Sequence, residues 1–351
     1  MARFDHTYGI EIECYLPDGG SARNAAAAIS ARGVTCVEEI YNHQTRDHWK
    51  IVTDGSLGDM RRGIEVVSPI LRGEDDLEAI RRVMGALDDY GCTVSRLCGL
   101  HVHVGAGAAD TDFFKSLFKT YAYFEPVIDG FMPPSRRQSA NMYCRSVTSA
   151  TLPAIDRAPD LDGLLALLSS RGSEARYHKL NLTAYRRHRT VEFRQHSGTL
   201  EANKAINWVL LCLRMVDAAK AGRAIASVAA TSAAPAAPLN SARPGSKVYQ
   251  IGQMMLRPEG VTGTEAMAAT GWAAVAMPRM ARRCGLAFTT QRTGNELRYF
   301  AQAAAASAAA TTTNVSPTLD GLFEFLGCEE SERAYFRARA ANLGGSVQWQ
   351  A

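Results

Sequence analysis

The sequence predicts a mixed fold of α/β or α+β class for residues 1–222, because short runs of period two alternate there with longer runs of period 3.6. Composition agrees with a globular chain that has a substantial core: of 351 residues, 46% are apolar and 21% charged. That length predicts one large domain and a smaller one.

The elements follow in order. "YGIEIECYL" alternates apolar and polar residues as a half-buried strand does. "SARNAAAAISARG" predicts a helix with Ser21 as N-cap and Gly33 as terminator. "HWKIVTDGS" and "GIEVVSPIL" are further strands. In "EDDLEAIRRVMGALDDYG", Leu77, Ile80, Val83, Met84 and Leu87 recur at helical spacing, with acids in the first turn and Gly91 at the end. "CTVSRLCGLHVHVG" is one long strand or two joined by a bend. The stripe Phe114, Phe118, Tyr121 and Phe124 then marks a core-facing helix. "YHKLNLTAY" and "RTVEFRQHSG" read as two strands joined by the basic "RRHR", and "TLEANKAINWVLLCLRMVDAAKAG" as a helix capped by Ser197 or Thr199. Residues 223–246 are rich in Ala, Ser and Pro and read as a linker or surface loop. Residues 247–351 predict a mainly helical C-terminal region without recognisable chemistry.

No apolar run reaches the roughly 18–20 residues of a membrane-spanning helix. The start "MARFDHTYGIEIECYL" lacks a basic-then-apolar signal, so a cytoplasmic protein with no membrane partner is expected. A formal charge of +4 is too balanced to argue for nucleic acid. The eight cysteines contain no C-x-x-C pair and sit mostly among apolar neighbours, as reduced core thiols do.

Residues two apart on a strand share a face. Glu11 and Glu13 therefore lie opposite Ile10 and Ile12, and His101 and His103 opposite Val102 and Val104. Glu192, Arg194 and His196 oppose Val191 and Phe193, and Glu65 lies between Ile64 and Val66. A solvated face usually mixes Thr, Lys, Ser and Gln, whereas these runs repeat Glu-x-Glu, His-x-His and Glu-x-Arg, three of them beside glycine. Adjacent carboxylates raise one another's pKa unless a cation lies between them. Several glutamates with one imidazole suit Mg²⁺ or Mn²⁺ better than structural zinc. Arg194 on that face suits phosphoryl transfer, which needs fixed cations, and Arg136, Arg137, Lys179 and Arg186 are further candidates. No G-x-x-x-x-G-K-[ST] run exists, which excludes a P-loop, and "GAGAAD" lacks the third glycine of a dinucleotide fingerprint. Arg136, Arg137 and Asn141 of "SRRQSANMYCRS" are candidates for orienting a carboxylate or phosphates, or form a solvated basic loop. Trp49 either lines a pocket or is half-buried, and Cys144 reads as a packed thiol near the site.

As a set, "YGIEIE", "WKIVTDGSLG", "GIEVVSPIL", "GLHVHVG", "NMYCR", "KLNL" and "TVEFRQHSGTLEANKAINWV" resemble the amidoligases over roughly residues 5–220. These are relatives of glutamine synthetase and glutamate–cysteine ligase. The resemblance implies an α+β fold whose curved, mostly antiparallel sheet is packed with helices. It implies that Glu11 and Glu13 hold different metal ions, that Glu65, His101 and Glu192 complete the metal set, and that His103 lies nearer the nucleotide phosphates. Arg194 would face the transferred phosphoryl group, with Glu65 and Arg136 as further catalytic positions and Lys179 and Asn181 beside the nucleotide. Glutamine synthetase has more than one acid in the region matched by "GIEVVSP"; here only Glu65 stands there, and Asp54 is the candidate to complete that site.

The activity so implied is an ATP-dependent, Mg²⁺- or Mn²⁺-requiring ligase that joins a carboxylate, small or peptidic, to an amine through an acyl phosphate. "RRHR" leaves a macromolecular substrate open, and no local motif sets the oligomeric state. Two other classes make different demands. A metal-dependent hydrolase or oxygenase built on the H-x-H pair needs further histidines or aspartates at strand ends, where His196 is the one available. A scaffold protein would keep the fold without turnover.

Overall fold

The computed structural model describes residues 6–59, 61–73, 75–169, 172–225, 245–257, 260–284, 287–293, 296–302, 312–313 and 316–343. They fall into two units, Met1–Ser227 with Thr311–Ala351, and Val228–Ala310.

The first unit is built on an eight-stranded sheet. Its strands are β1 (Thr7–Tyr15), β2 (Cys36–Glu38), β3 (Trp49–Thr53), β4 (Gly63–Val67), β5 (Leu71–Arg72), β6 (Gly99–Gly105), β7 (Leu180–Asn181) and β8 (Thr190–Ser197). The order is β2-β3-β4-β1-β6-β8-β7, with β5 paired to the start of β1. All pairings are antiparallel except β2 with β3, so the fold is α+β with a mostly antiparallel sheet. The expected strands β1, β3, β4, β6 and β8 all form.

One face of the sheet is apolar and carries the core. Ile10, Ile12, Val66, Val102, Val104 and Phe193 are buried there with Phe118, Tyr121 and Trp208. The covering helices include α1 (Ala22–Ser30), α2 (Asp75–Asp89), α3 (Thr111–Gly130) and α7 (Ala202–Lys220); the short α4 (Leu152–Arg157), α5 (Leu161–Ala166) and α6 (Ala184–His188) lie between the last two in sequence. Ser21 caps α1 by accepting from the Asn24 amide, and the apolar stripe of α2 is buried at Ile80, Val83, Met84 and Leu87. The aromatic stripe of α3 is buried throughout, as expected. Trp49 is core, only 2% exposed, rather than pocket lining.

Several boundaries differ from expectation. "YHKLNLTAY" yields a strand of only two residues, because 172–177 form a 3₁₀ segment and Ala184 and Tyr185 already begin the helix α6, which takes in the basic connection as far as His188. The last large helix is capped at Glu201 rather than Ser197 or Thr199; the Thr199 hydroxyl instead accepts from the Glu201 amide. Of the expected linker, residues 226–244 lie outside the described residues.

The C-terminal region is not one mainly helical unit. After β9 (Ala224–Ile225), the second unit contains α8 (Lys247–Met255), β10 (Val261–Thr262), α9 (Gly263–Thr270), α10 (Met277–Arg283), β11 (Ala287–Thr293) and β12 (Glu296–Gln302). Its three strands form their own sheet in the order β10-β12-β11, and its own small core includes Ile251, Met255, Val261 and Ala281. The chain then returns to the first unit, where β13 (Thr312–Thr313) pairs with β9 in parallel. The helices α11 (Leu319–Leu326) and α12 (Glu330–Asn342) complete that unit's core, with Phe323, Phe325 and Phe336 buried among α3 and α7 residues. Arg214 of α7 fixes this return, bonding Glu332 at 2.9 Å and the Gly327 carbonyl at 2.9 Å. The second unit is thus an insertion. All eight cysteines are free and buried. Among the described residues no helix is long and apolar enough to cross a membrane.

Candidate active site

The other face of the sheet carries the ionisable residues, and antiparallel pairing sets them opposite one another. Glu11 of β1 pairs with His101 of β6, and Glu13 with Glu65 of β4. His103 pairs with Glu192 of β8, which pairs in turn with Asn181 of β7. The His101 ring lies between the acids, its Nδ1 3.0 Å from Glu11 Oε2 and 3.8 Å from Glu192 Oε1, its Nε2 3.5 Å from Glu13 Oε1. His103 Nε2 is 3.4 Å from Glu11 Oε1, and Thr190 Oγ1, 3.0 Å from Nδ1, fixes the ring from behind. Asn181 donates to Glu192 Oε2 at 2.6 Å, and the Gly99 amide to Glu13 Oε2 at 2.6 Å.

The acids are not electrostatically equivalent. Burial would raise the Glu11 carboxyl, but hydrogen bonds from His101 and His103 hold it well below the usual range. Burial acts likewise on Glu192, and Arg194 and His103 bring it down. Glu65 goes the other way: burial first, then Glu11, Glu13 and Asp54, push it well above the usual carboxylate range. Among the described residues Glu65 makes no hydrogen bond or ion pair, and Arg194 opposes the rise only as the last of these effects.

Two donor sets fit a metal ion. Glu11, His101 and Glu192, and separately Glu13, Glu65 and His101, each offer ligand atoms within 4.8 Å of one another. Carboxylate oxygens with one imidazole form a hard donor set suited to Mg²⁺ or Mn²⁺. Both sets draw on His101; Asp54, the residue expected to complete the second, lines the same cavity but belongs to neither set, and its oxygens accept from the Ser56 amide and hydroxyl.

The expected cations separate into three kinds. Arg194 is on the site face, bonded to Glu192 and, through Nε, to the Tyr143 carbonyl at 3.3 Å. Arg136 lines the cavity but is buried, and its Nη2 donates to the Leu97 and Cys98 carbonyls, at 3.0 and 2.5 Å; it braces the loop before β6 rather than presenting a free cation. Lys179 is turned away altogether. Its ammonium lies beneath the sheet, 2.8 Å from Glu125 and 2.6 Å from Asp129 of α3, so it is a structural ion pair and not a nucleotide contact. Arg137 holds the Met132 carbonyl, and Arg186 pairs with Asp162. Cys144 is a packed thiol bonded to the Arg194 carbonyl, raised by burial.

His196 does not join the cluster either. The ladder between β6 and β8 shifts register at Leu100/Val102, so His196 pairs with Leu100 and its ring packs on Trp208, 5.5 Å between centroids. Burial, with Arg339 next in effect, pushes its pKa down to about 3. A histidine depressed in this way stabilises the fold fully above its unfolded pKa of about 6.5, and the contribution is lost as pH falls toward 3. Urea midpoints measured from pH 7 to 4 are therefore expected to fall, and to fall less steeply in His196→Asn. The hydrolase reading loses the extra histidine it required.

A cavity of about 1160 Å³ opens over the cluster and is lined by Glu11, Glu13, Glu65, His101, Asn141 and Arg194 among others. A second cavity, of about 590 Å³, shares Glu11, Glu65, His43, His103, Arg187 and His188 with it, so the two meet over the acids. Sequence reasoning missed Thr190 and the Tyr143 carbonyl, which orient His103 and Arg194. It also passed over Gly99, although glycine beside the histidine run was visible. A Cβ at position 99 would lie 2.7 Å from His101 Nε2 and 3.4 Å from Arg136 Nη2. Gly99→Ala is therefore expected to displace the imidazole and weaken Mn²⁺ binding by about 10–100-fold, as loss of a ligand's support does; isothermal titration with Mn²⁺ measures it.

A mostly antiparallel sheet with helices on one face and a carboxylate–imidazole cluster on the other defines an α+β protein with a candidate metal site. The family model described as "Putative amidoligase enzyme" matches residues 5–216. The chain belongs to the amidoligase family, a class of ligases that form amide bonds. No curated protein matches it. Among solved structures, the cryo-electron microscopy structure of Plasmodium falciparum glutamine synthetase is similar at 10% identity and a TM-score of 0.33, over 99% of this chain and 74% of that one.

Proposed function

We propose that the protein is an ATP-dependent carboxylate–amine ligase that works through an acyl phosphate. A carboxylate has no leaving group of its own, so its oxygen first attacks the γ-phosphorus of ATP and ADP departs. The amine then forms the C–N bond as the acyl C–O bond to phosphate breaks; phosphate leaves, and the amine gives up a proton. The observation that carries the reading is the pair of carboxylate–imidazole sets, Glu11 with His101 and Glu192 and Glu13 with Glu65 and His101, on one sheet face with Arg194 bonded to Glu192.

Glu11, His101 and Glu192 would hold one divalent ion, and Glu13 and Glu65, with Asp54, the other. Bound there, such ions neutralise phosphate charge and make the γ-phosphoryl group electrophilic. The chain's own residues do the rest. Glu192 and the Tyr143 carbonyl hold the Arg194 guanidinium over the site, where it offsets charge on the phosphoryl group in transit. Thr190 fixes the His103 ring, and His103 lines both cavities. Backbone at Gly9, Gly105 and Gly107, with Arg189 and Lys220, lines the smaller cavity, where close approach and positive charge suit a nucleotide. The larger cavity receives carboxylate and amine.

The test is coupled ADP release with Mg²⁺ across carboxylate and amine pairs, followed by the product mass. ADP formed only when both substrates are present, with a product equal to their sum minus water, supports the reading. Tight zinc or iron binding without nucleotide binding sinks it.

A further inference from the structure

Resting on the ligase reading, the larger cavity also speaks to its substrate. Its volume of about 1160 Å³ lies above the roughly 300–1,000 Å³ that enclose a drug-sized molecule. Its rim is unusual in two respects. First, nine large apolar side chains are exposed among the described residues, and four of them, Tyr41, Leu97, Met142 and Tyr143, line this cavity. They come from three separate loops, and Met142 is 70% exposed. Apolar side chains gathered around an opening mark a surface that meets a partner. Second, two cations stand apart from the acids. Glu11, Glu13, Glu65 and Glu192 occupy the sheet floor, Glu192 paired with Arg194, whereas Arg96 and Arg176 are exposed in the cavity wall, neither with a carboxylate partner among the described residues, Arg176 lying against Tyr177.

We propose that the carboxylate substrate is the acidic side chain of a peptide, drawn in by Arg96 and Arg176 and flanked by apolar neighbours that rest on Tyr41, Leu97, Met142 and Tyr143. A free amino acid could occupy the floor, but it has no residues to place on the apolar rim. A peptide reaches both, and its negative charge complements the arginines. The reaction is the one above: the side-chain carboxyl becomes the acyl phosphate, and the amine displaces phosphate with loss of a proton.

The experiment uses the full chain, Mg²⁺ and ATP, with hydroxylamine as the amine so that acyl phosphate is captured as hydroxamate. Free glutamate is compared with a Leu-Glu-Phe peptide blocked at both ends, whose one carboxyl is the side chain. In parallel, polarisation of the same peptide carrying fluorescein reports binding without turnover. The expected result is a kcat/KM at least about tenfold higher for the peptide, and a peptide Kd raised about tenfold by Arg96→Gln or Met142→Ser. Equal kcat/KM for the two substrates, or a peptide Kd indifferent to both substitutions, overturns the proposal. Hydroxamate from glutamate without peptide binding also overturns it and leaves the ligase reading standing. Peptide binding that depends on Arg96 and Met142, without ADP from any carboxylate, supports the peptide site and removes the ligase reading instead.

Discussion

Glu11→Gln is expected to reduce Mg²⁺-dependent ADP release by at least about 100-fold while far-UV circular dichroism stays unchanged. Among the described residues Glu11 is the one acid hydrogen-bonded to both histidines, and those bonds hold it ionised even though it is buried. The amide is isosteric, so packing survives, but it supplies no negative charge to a cation or to either imidazole. The same exchange at Glu65 is expected to act differently on the fold. Its carboxyl is pushed up by burial and by three neighbouring acids, so Glu65→Gln relieves repulsion in the chelated protein. Its melting temperature in EDTA should equal or exceed that of the wild type. The increase that Mg²⁺ brings to the wild type should shrink in both variants, because each removes a ligand. A Glu11→Gln enzyme that keeps its ADP release, or a Glu65→Gln protein less stable than wild type in EDTA, would show that these acids are structural and hold no cation.

The cluster was legible because period two is reliable inside a strand. Each of β1, β4 and β6 keeps its alternation, so Glu11 with Glu13, Glu65, and His101 with His103 face the site together. Strand order and register were not legible, because pairing joins residues far apart in sequence, such as Glu11 with His101. The family resemblance supplied that link. Alternation failed where the strand itself is irregular. The register shift between β6 and β8 sends His196 to Trp208, and β7 is too short to govern Lys179, just outside its end. The return of 316–343 to the first unit was hidden for another reason: an amphipathic helix shows which face it buries but not against what.

Lys179→Met is expected to cost about 3–5 kcal/mol of stability, the loss usual when one member of a buried ion pair is removed. Lys179 is fully buried, and its ammonium bonds Glu125 and Asp129 at 2.8 and 2.6 Å. Around it, Gln195 donates to Asp129 at 2.5 Å, and the Val147 and Gln138 amides donate to Glu125 and Asp129 at 2.7 and 2.8 Å. Those neutral donors satisfy hydrogen bonds but cannot balance two carboxylates one helical turn apart. The thioether fills the space of the lysine stem, so the loss measures charge rather than volume. Adding Glu125→Gln and Asp129→Asn to Lys179→Met removes the uncompensated charges and is expected to recover much of the urea midpoint, a recovery that a cavity effect would not produce. Because the ammonium lies on the helix side of the sheet, the KM for ATP of any folded Lys179→Met protein should stay within about twofold of wild type. A large rise in that KM at an unchanged urea midpoint would instead return Lys179 to the nucleotide. The buried pairs also tie α3 to β8 and to the loop carrying Tyr143, so the same substitution tests whether Arg194 owes its position to the far side of the sheet.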